Sequence, residues 1–469
     1  MSGLTVMPAV ELLSMLRRGE ISPLELAGEY IQQIERLNPQ LNALVDFDAD
    51  RVRAQARALE NSSGPRGPLY GLPMTVKSSI ATAGYRCEIG SLLHRGDVPR
   101  ENATVVDRMK QAGALILGTT NCPEFLMAYE TDNRLYGRTS NPWDVERTAG
   151  GSSGGESAAI AAGLSACGLG SDSGGSVREP AHFTGICSLK PTPGRVPARS
   201  HLPPCDGPFA ILGAIGPMAR TIRDLTLLFI TLSGQDARDP VSAPVGLRNE
   251  SLEDLRRVPI GFFEDDGHTA ITPETRKAVQ DAARTLQSQG FNVQPFRPRA
   301  LEEARHLWWQ FFVRGGAMIL DPVVHRRHSE LSPTFLDFLS IAHSEPVLSG
   351  QELLSAWMDC DHVRRKLLAE MESFPILLCP VCAIPAFRHG EREWKVEGQQ
   401  VKYLDAMRYT QWFNLLGAPA AVVPVGWSAE GLPIGVQIAG RPFEDERVLG
   451  IAAAVEANYG YKPPPLCLD

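Results

Sequence analysis

Two glycine- and serine-rich loops contain the residue types that nucleophilic catalysis requires. The first loop spans residues 149–157 and the second spans residues 170–178. Because glycine has no Cβ, such loops can turn sharply and direct successive backbone N–H groups at one point. An alanine-rich helix over 158–164 and a short strand over 166–170 are predicted between them. We therefore expect the two loops to lie side by side.

The two loops have three possible roles: phosphate binding, simple chain reversal and nucleophilic catalysis. Phosphate binding is disfavoured, because the sequence lacks GxxxxGK[ST] and has no GxGxxG that follows a strand and precedes an acidic residue about twenty positions later. Two such loops, each with serines between glycines, are more than chain reversal requires. Catalysis fits best, since a serine nucleophile needs a base and backbone donors for the oxyanion.

The base for such a serine is not obvious from the loops themselves. His182 is the only histidine close to the second loop in sequence. A lysine can serve as a base if burial lowers its pKa, because desolvation disfavours the ammonium form. Lys77 ends the apolar run 72–76, which is predicted to be a strand, and this position suits a buried lysine.

The glycine–serine loops resemble the amidase signature family. The resemblance includes 150–155, 170–178 and 185–192, with further matches at 71–77, 120–125, 141–143, 431–437 and 440–443. It covers roughly 1–235 and 400–460. The ending Gly154-Gly155-Glu156 of the first loop is also shared with the fatty-acid amide hydrolase branch.

The resemblance implies a Ser–cisSer–Lys triad. Ser176 is then the nucleophile, Ser152 is the bridging serine after a cis peptide bond, and Lys77 is the neutral base. The sequence departs from the family at Ser78 and Thr119, where an acidic residue and a lysine are common. These departures concern the surroundings of Lys77 and leave its implied role in place.

The second loop is also expected to stabilise the oxyanion. The resemblance implies that the backbone N–H donors of the oxyanion hole are those of Ser173, Gly174, Gly175 and Ser176. Ser153 is expected to add a supporting hydrogen bond. Asp172 and Arg178 flank the nucleophile, and we expect them to form an ion pair that positions the loop.

The implied activity is hydrolysis of carboxylic amides, with hydrophobic acyl or aryl groups, through an acyl-enzyme on Ser176. Esters and carbamates (urethanes) are further expected substrates. One alternative is the glutaminase subunit of a tRNA-dependent amidotransferase, but the segment 211–217 lacks the polar pair found in those subunits. An alternative of another class is a non-catalytic glycine-loop binding protein.

Composition excludes several other classes. The chain has 469 residues, 43% of them hydrophobic, and a net charge of -8, which disfavours nucleic acid as a partner. No apolar stretch approaches the roughly 20 residues that cross a bilayer, and the first twenty residues lack an export signal. Nine unevenly spaced cysteines indicate free thiols and a cytoplasmic location. The expected partners are a small amide, water and a second copy in a homodimer.

No cofactor or metal is expected. Cys379 and Cys382 form a CxxC, but they lie in an apolar run that is typical of a buried strand. His325 and His328 are separated by two arginines, with no third ligand nearby, and a solvated helix face explains them better.

Helices that alternate with short apolar strands predict a single α/β domain. We expect a large, mixed, mostly parallel twisted sheet covered by helices on both faces. Residues 1–62 are predicted to be a helical region, and 63–235 with 400–460 are predicted to form the catalytic core. Residues 240–400 are predicted to be a helical insertion that shapes the substrate pocket, where the aromatic cluster 308–312 is a candidate wall.

Overall fold

The computed structural model describes residues 3–467. Its framework is a sheet of eleven strands, accompanied by two separate hairpins (β4–β5 and β12–β13). In the described residues the strands are β1 (Leu44–Phe47), β2 (Pro73–Lys77), β3 (Leu115–Thr120), β4 (Ser140–Asn141), β5 (Asp144–Thr148), β6 (Cys167–Asp172), β7 (Cys187–Lys190), β8 (Ala214–Ala219), β9 (Ile260–Phe262), β10 (Val293–Pro295), β11 (Ile376–Pro380), β12 (Glu393–Val396), β13 (Gln399–Lys402), β14 (Ala420–Trp427) and β15 (Pro433–Gly440).

The strand order in the large sheet is β1-β3-β2-β6-β8-β7-β14-β15-β11-β9-β10. The predicted α/β class and the mixed sheet are confirmed. The expectation of mostly parallel pairing is wrong, because six of the ten pairings among the described strands are antiparallel. The parallel pairs are β2 with β3 and β6, and β9 with β10 and β11. The antiparallel run β6-β8-β7-β14-β15-β11 occupies the centre of the sheet.

Helices surround this sheet. In the described residues they are α1 (Ala9–Arg18), α2 (Pro23–Leu41), α3 (Ala49–Glu60), α4 (Thr104–Gln111), α5 (Gly154–Ala161), α6 (Arg178–Thr184), α7 (Pro208–Leu212), α8 (Ile222–Leu232), α9 (Leu252–Arg256), α10 (Pro273–Ser288), α11 (Leu301–Trp308), α12 (Gly315–Val324), α13 (Pro333–Ala342), α14 (Gly350–Glu370), α15 (Tyr403–Ala406), α16 (Gln411–Leu416) and α17 (Asp445–Glu456). A π-helical segment, Trp309–Arg314, joins α11 to α12. A capping box at Ser22 starts α2: Ser22 Oγ accepts from the Glu25 N–H, and the Glu25 carboxylate accepts from the Ser22 N–H.

Both faces of the sheet are covered. Along β11, Ile376 and Leu378 pack into one apolar core, which includes residues of α10 and α17. Leu377 and Cys379 point the other way, into a second core that includes residues of α11 and α14. This alternation is what a strand buried on both sides requires, since successive side chains point to opposite faces.

The segment 240–400 contains more than helices. Besides α9 to α14 it supplies β9, β10 and β11, which form one end of the large sheet. The N-terminal region likewise adds β1 at the opposite edge. Strands in both segments tie them to the catalytic core through backbone hydrogen bonds, so neither segment is an appendage.

Three further observations concern cysteines, metals and membranes. All nine cysteines are free, and only Cys205 is partly exposed. Residues 3–467 contain no group of three or more His, Cys, Asp or Glu side chains arranged to hold a metal ion. Over the same residues, no helix has both the length and the apolar character needed to span a bilayer.

Candidate active site

Lys77 lies at the end of β2, in the parallel part of the sheet, and its side chain is fully buried. Its Nζ lies 2.7 Å from Ser152 Oγ, 3.1 Å from Ser153 Oγ and 3.2 Å from Ser171 Oγ. An ammonium group has three N–H donors, so these three hydroxyls satisfy all of them. The structure thus brings the predicted Lys77, Ser152 and Ser153 together and adds Ser171.

Ser152 and Ser176 come from the two glycine–serine loops. The Gly151–Ser152 peptide bond is cis. Ser176 lies in the turn between β6 and α6, and its carbonyl accepts a hydrogen bond from the Ser153 N–H at 3.1 Å. Within residues 3–467 the Ser176 hydroxyl makes no hydrogen bond to a protein group. It shares the wall of a cavity of about 40 Å³ with Ser152.

Burial governs the ionisation of Lys77. It lowers the pKa of the amine to about 8, against the opposing influence of Cys122, Asp172 and Glu156. Glu156 in α5 accepts hydrogen bonds from Thr75 and Thr120, on β2 and β3. Burial raises the pKa of Glu156 to about 7. The site therefore holds an amine that is partly neutral near pH 8.

The four proposed oxyanion donors are not equivalent. The Gly175 N–H donates to Asp172 Oδ1 at 2.8 Å and is already engaged. In the part of the chain that the structure describes, the N–H groups of Ser173, Gly174 and Ser176 have no protein acceptor. Gly174 and Ser176 both line the main cavity of the protein, which has a volume of about 700 Å³. Of these four N–H groups, that of Gly175 thus holds the loop in place through Asp172, and the other three have no protein partner in residues 3–467.

Asp172 and Arg178 form an ion pair with both side chains fully buried. The shortest contact joins Arg178 Nη2 to Asp172 Oδ1 at 2.9 Å, and Asn414 Nδ2 donates to the same carboxylate at 2.9 Å. Burial alone would raise the pKa of Asp172, but Arg178 outweighs it and holds that pKa below its usual range. Because the same carboxylate accepts from the Gly175 and Val177 N–H groups, the pair fixes the turn that carries Ser176.

His182 does not belong to the site. Its Nδ1 accepts from the Gly435 N–H at 2.9 Å, and its Nε2 lies 3.1 Å from the Ile384 carbonyl. Burial lowers its pKa to about 4, so it stays neutral. Ser78 and Thr119, where the sequence departs from the family, contact Cys122 and the Arg86 carbonyl instead of Lys77.

A cavity of about 700 Å³ leads to Ser176. Its apolar wall includes Met127, Trp308, Trp309, Phe312, Phe338 and Ile341. Its wall also contains two arginines that are already paired: Arg305 lies 2.8 Å from Asp405, and Arg392 lies 2.6 Å from Glu130. The segment 240–400 thus contributes much of the wall. His325 and His328 are exposed and lie outside this site.

Sequence reasoning missed several residues that hold the loops. Ser171 was within reach, because it belongs to the second glycine–serine loop. Tyr129 and Thr410 carry no such signal: their hydroxyls donate to the Gly174 carbonyl at 2.8 and 2.7 Å, across 45 and 236 residues of sequence.

Comparison with known proteins identifies the family. The Amidase family description matches residues 25–449. A glutamyl-tRNA(Gln) amidotransferase subunit of Roseiflexus castenholzii is 35% identical, covering 97% of this chain and 95% of the relative. Acylamidase of Rhodococcus erythropolis is 33% identical, covering 96% and 94%. A bacterial aryl acylamidase structure aligns with a TM-score of 0.86 at 26% identity, covering 98% of this chain and 97% of that one.

The chain therefore belongs to the amidase family, as its glycine–serine loops indicated. It is an amide-hydrolysing enzyme with the fold of the amidase signature enzymes. The alternative of a non-catalytic glycine-loop binding protein has no support in these comparisons.

Proposed function

We propose that this enzyme hydrolyses carboxylic amides through an acyl-enzyme on Ser176, with Ser152 and Lys77 completing a Ser–cisSer–Lys triad. The observation that carries the proposal is the 2.7 Å contact between Lys77 Nζ and Ser152 Oγ in a fully buried setting. Ser152 in turn shares a small cavity with Ser176. Catalytic hydrogen bonds are often formed fully only when substrate is bound, which accounts for the free Ser176 hydroxyl.

The proton path follows from this order of groups. Ser176 Oγ attacks the amide carbonyl and passes its proton to Ser152, while Ser152 passes its own proton to the neutral amine of Lys77. The Ser173, Gly174 and Ser176 N–H groups stabilise the oxyanion. When the C–N bond breaks, the proton returns through Ser152 to the leaving amine. Water then attacks the acyl-enzyme and gives a proton through Ser152 to Lys77. When the bond between the acyl group and Ser176 Oγ breaks, the proton returns through Ser152 to Ser176.

The cavity supports amides with hydrophobic acyl or aryl groups as substrates. Trp308, Phe312 and Phe338 form an apolar surface next to the nucleophile, and such a surface gains free energy by burying apolar groups. Esters and carbamates follow the same acyl-enzyme route, because their leaving groups need no more activation than an amine. The name of the Rhodococcus relative, an acylamidase, agrees with this class.

A fluorophosphonate probe and a substrate panel test this proposal. The wild type should be labelled covalently, and Ser176→Ala should lose both labelling and turnover. p-Nitroanilides, p-nitrophenyl esters and carbamates that share one apolar acyl group would rank the leaving groups. Retained turnover in Ser176→Ala, with labelling of another residue, would refute the assigned nucleophile.

A second candidate is the glutaminase subunit of a tRNA-dependent amidotransferase. It is favoured by the 35% identity to the Roseiflexus amidotransferase protein. Two observations count against it. The apolar segment 211–217 lacks the polar pair of those subunits. Both arginines of the cavity wall are already paired with carboxylates of the protein, so neither is free to bind the carboxylate of glutamine. Measuring ammonia release from glutamine, with and without partner subunits, separates the two: release that matches turnover of aryl amides would favour the glutaminase.

Two predictions about the setting of the enzyme complete the proposal. We propose a homodimer in a cytoplasmic location, acting on a small amide and water. Light scattering coupled to size exclusion tests the dimer, since a monomer has a mass of 51.1 kDa. Fractionation of cells that express the full chain tests the location.

A further inference from the structure

Trp308 connects the segment 240–400 to the turn that carries the nucleophile. It is the last residue of α11, and only 1% of its surface is exposed. Its indole Nε1 donates a hydrogen bond to the Ser173 carbonyl at 2.8 Å, across 135 residues of sequence. The donor and the acceptor therefore belong to different parts of the fold that meet at the active site.

This bond fixes one peptide plane. In a trans peptide the carbonyl of one residue and the N–H of the next point in opposite directions. With the Ser173 carbonyl held by Trp308, the Gly174 N–H points away from the indole. That N–H has no acceptor in residues 3–467, and Gly174 lines the main cavity together with Ser176.

The next peptide plane is held by other groups. Tyr129 and Thr410 donate to the Gly174 carbonyl, and on the opposite side the Gly175 N–H donates to Asp172. Three partners thus orient the Gly174–Gly175 peptide. The Ser173–Gly174 peptide has one polar partner in the described chain, the indole of Trp308.

Packing reinforces the hydrogen bond. A Cβ on Gly174 would lie 2.6 Å from Trp308 Cζ2, so the indole ring rests directly on the glycine. Phe312 is stacked on the same indole ring at 4.8 Å between centroids, with 13° between the planes. Phe312 lines both the small and the large cavity. An acyl group that packs on Phe312 thereby contacts the residue that supports the Trp308 ring.

We propose that Trp308 is a positioning residue that directs the Gly174 N–H at the oxyanion and couples it to the acyl-binding wall. The inference rests on the proposed function, because it presupposes an oxyanion formed at Ser176. Its effect is exerted through the Gly174 peptide and not by contact with the reacting atoms. Loss of the indole N–H should therefore affect the transition state more than the bound substrate.

Trp308→Phe tests this, because it removes the N–H donor and keeps an aromatic ring. Deleting one oxyanion donor costs about 10²–10³ in kcat. Trp308→Phe leaves the Gly174 N–H present but less well oriented, so kcat should fall about 10- to 100-fold and KM should change by less than about threefold. Trp143→Phe is the matched control. Trp143 Nε1 also donates to a backbone carbonyl at 2.8 Å, that of Thr184, but outside the active site. The control should keep its kcat.

Inhibitor binding provides a second readout, which a purely structural role would not change. A trifluoromethyl ketone forms a tetrahedral adduct with the serine and uses the oxyanion hole, whereas the matching alcohol forms no adduct. Trp308→Phe should weaken binding of the ketone about tenfold more than binding of the alcohol, because both lose the same apolar contact with the cavity wall and only the ketone uses the oxyanion donors. If Trp308→Phe fails to fold, benzothienylalanine at position 308 replaces the N–H by sulfur in the same shape.

The outcomes are distinguishable. An unchanged kcat, or equal weakening of ketone and alcohol, overturns the positioning role while Ser176→Ala remains inactive and the proposed function stands. A Ser176→Ala variant that keeps its turnover overturns both. A selective loss of kcat and of ketone affinity, absent from Trp143→Phe, supports the role of Trp308.

Discussion

Lys77 Nζ lies 2.7 Å from Ser152 Oγ, and the exposed fractions of the two residues are 0% and 1%. An exposed amine with a hydroxyl neighbour would remain an ammonium at neutral pH and could accept no proton. Burial changes this, because it lowers the pKa of Lys77 to about 8. The pair is therefore an amine and a hydroxyl between which a proton can pass near neutral pH.

The first prediction concerns the pH dependence of turnover. Lys77 must be neutral to accept a proton, so kcat/KM should rise with pH and level off above the pKa of about 8. Below that value the rate should fall about tenfold per pH unit. Initial rates with an aryl amide from about pH 6 to pH 10 measure this. A flat profile with acylation rate-limiting would exclude an amine base.

The second prediction concerns Glu156, which raises the pKa of Lys77 by its charge. Glu156→Gln removes that charge and keeps the shape of the group: its oxygen can accept from one of Thr75 and Thr120, and its NH2 can donate to the other hydroxyl. The rising limb of the pH profile should therefore move to lower pH. Glu124→Gln is the control: Glu124 is also buried, but it accepts from Ser91 at 2.7 Å and should leave the limb in place. A limb that moves to higher pH would contradict the electrostatic account.

The third prediction separates Lys77 from another buried lysine. Lys77→Met should lose about 10³-fold or more of kcat, because the oxyanion donors cannot deprotonate Ser176 by themselves. Lys190 is equally buried, and its Nζ donates to the Pro191 carbonyl at 3.0 Å. Lys190→Met should alter stability and keep turnover. Equal losses of kcat in both variants would show that any buried lysine in this core matters only for folding.

The positions of these groups were partly predictable from the sequence. Glycine–serine loops and a lysine at the end of an apolar strand are local patterns, and the family resemblance that they carry implied that Lys77 acts with Ser152. In the structure Lys77 Nζ lies 2.7 Å from Ser152 Oγ and 3.1 Å from Ser153 Oγ. The contact partners of the loops were not predictable, because Trp308 and Thr410 reach them across 135 and 236 residues of sequence. No periodicity or spacing encodes contacts of that separation.

The sheet shows the same limit. Apolar runs predicted β2 and β6, which are parallel neighbours. The alternation of helix and strand there suggested that the whole sheet was mostly parallel. Pairing also depends on connections that return from far along the chain, as for β14 (420–427), which pairs in antiparallel fashion with β7 (187–190). The residues of a strand predict that the strand is buried, but they do not predict whether its neighbour runs parallel or antiparallel to it.

The last prediction concerns the buried ion pair of Asp172 and Arg178, which flank Ser176 in the sequence. Asp172→Asn leaves Arg178 as a buried charge without its partner and should lower the free energy of unfolding by about 3–5 kcal/mol. It should also lower kcat, since the Asp172 carboxylate anchors the Gly175 and Val177 N–H groups. Glu253→Gln is the control, because it removes the charge that pairs with Arg257 in an exposed ion pair. The Arg257 and Glu253 side chains are 71% and 76% exposed, so the free energy of unfolding should fall by less than about 1 kcal/mol.

The pH dependence of stability provides an independent check on Asp172. Arg178 holds the pKa of Asp172 below its unfolded value, so this carboxylate stabilises the fold at neutral pH. That contribution should disappear as the pH falls below about 4, the unfolded value, towards the folded pKa. Urea unfolding of wild type and Asp172→Asn between about pH 3 and pH 7 measures it. The stability difference should shrink in acid, and a difference that stays constant would contradict a charged Asp172 in the folded enzyme.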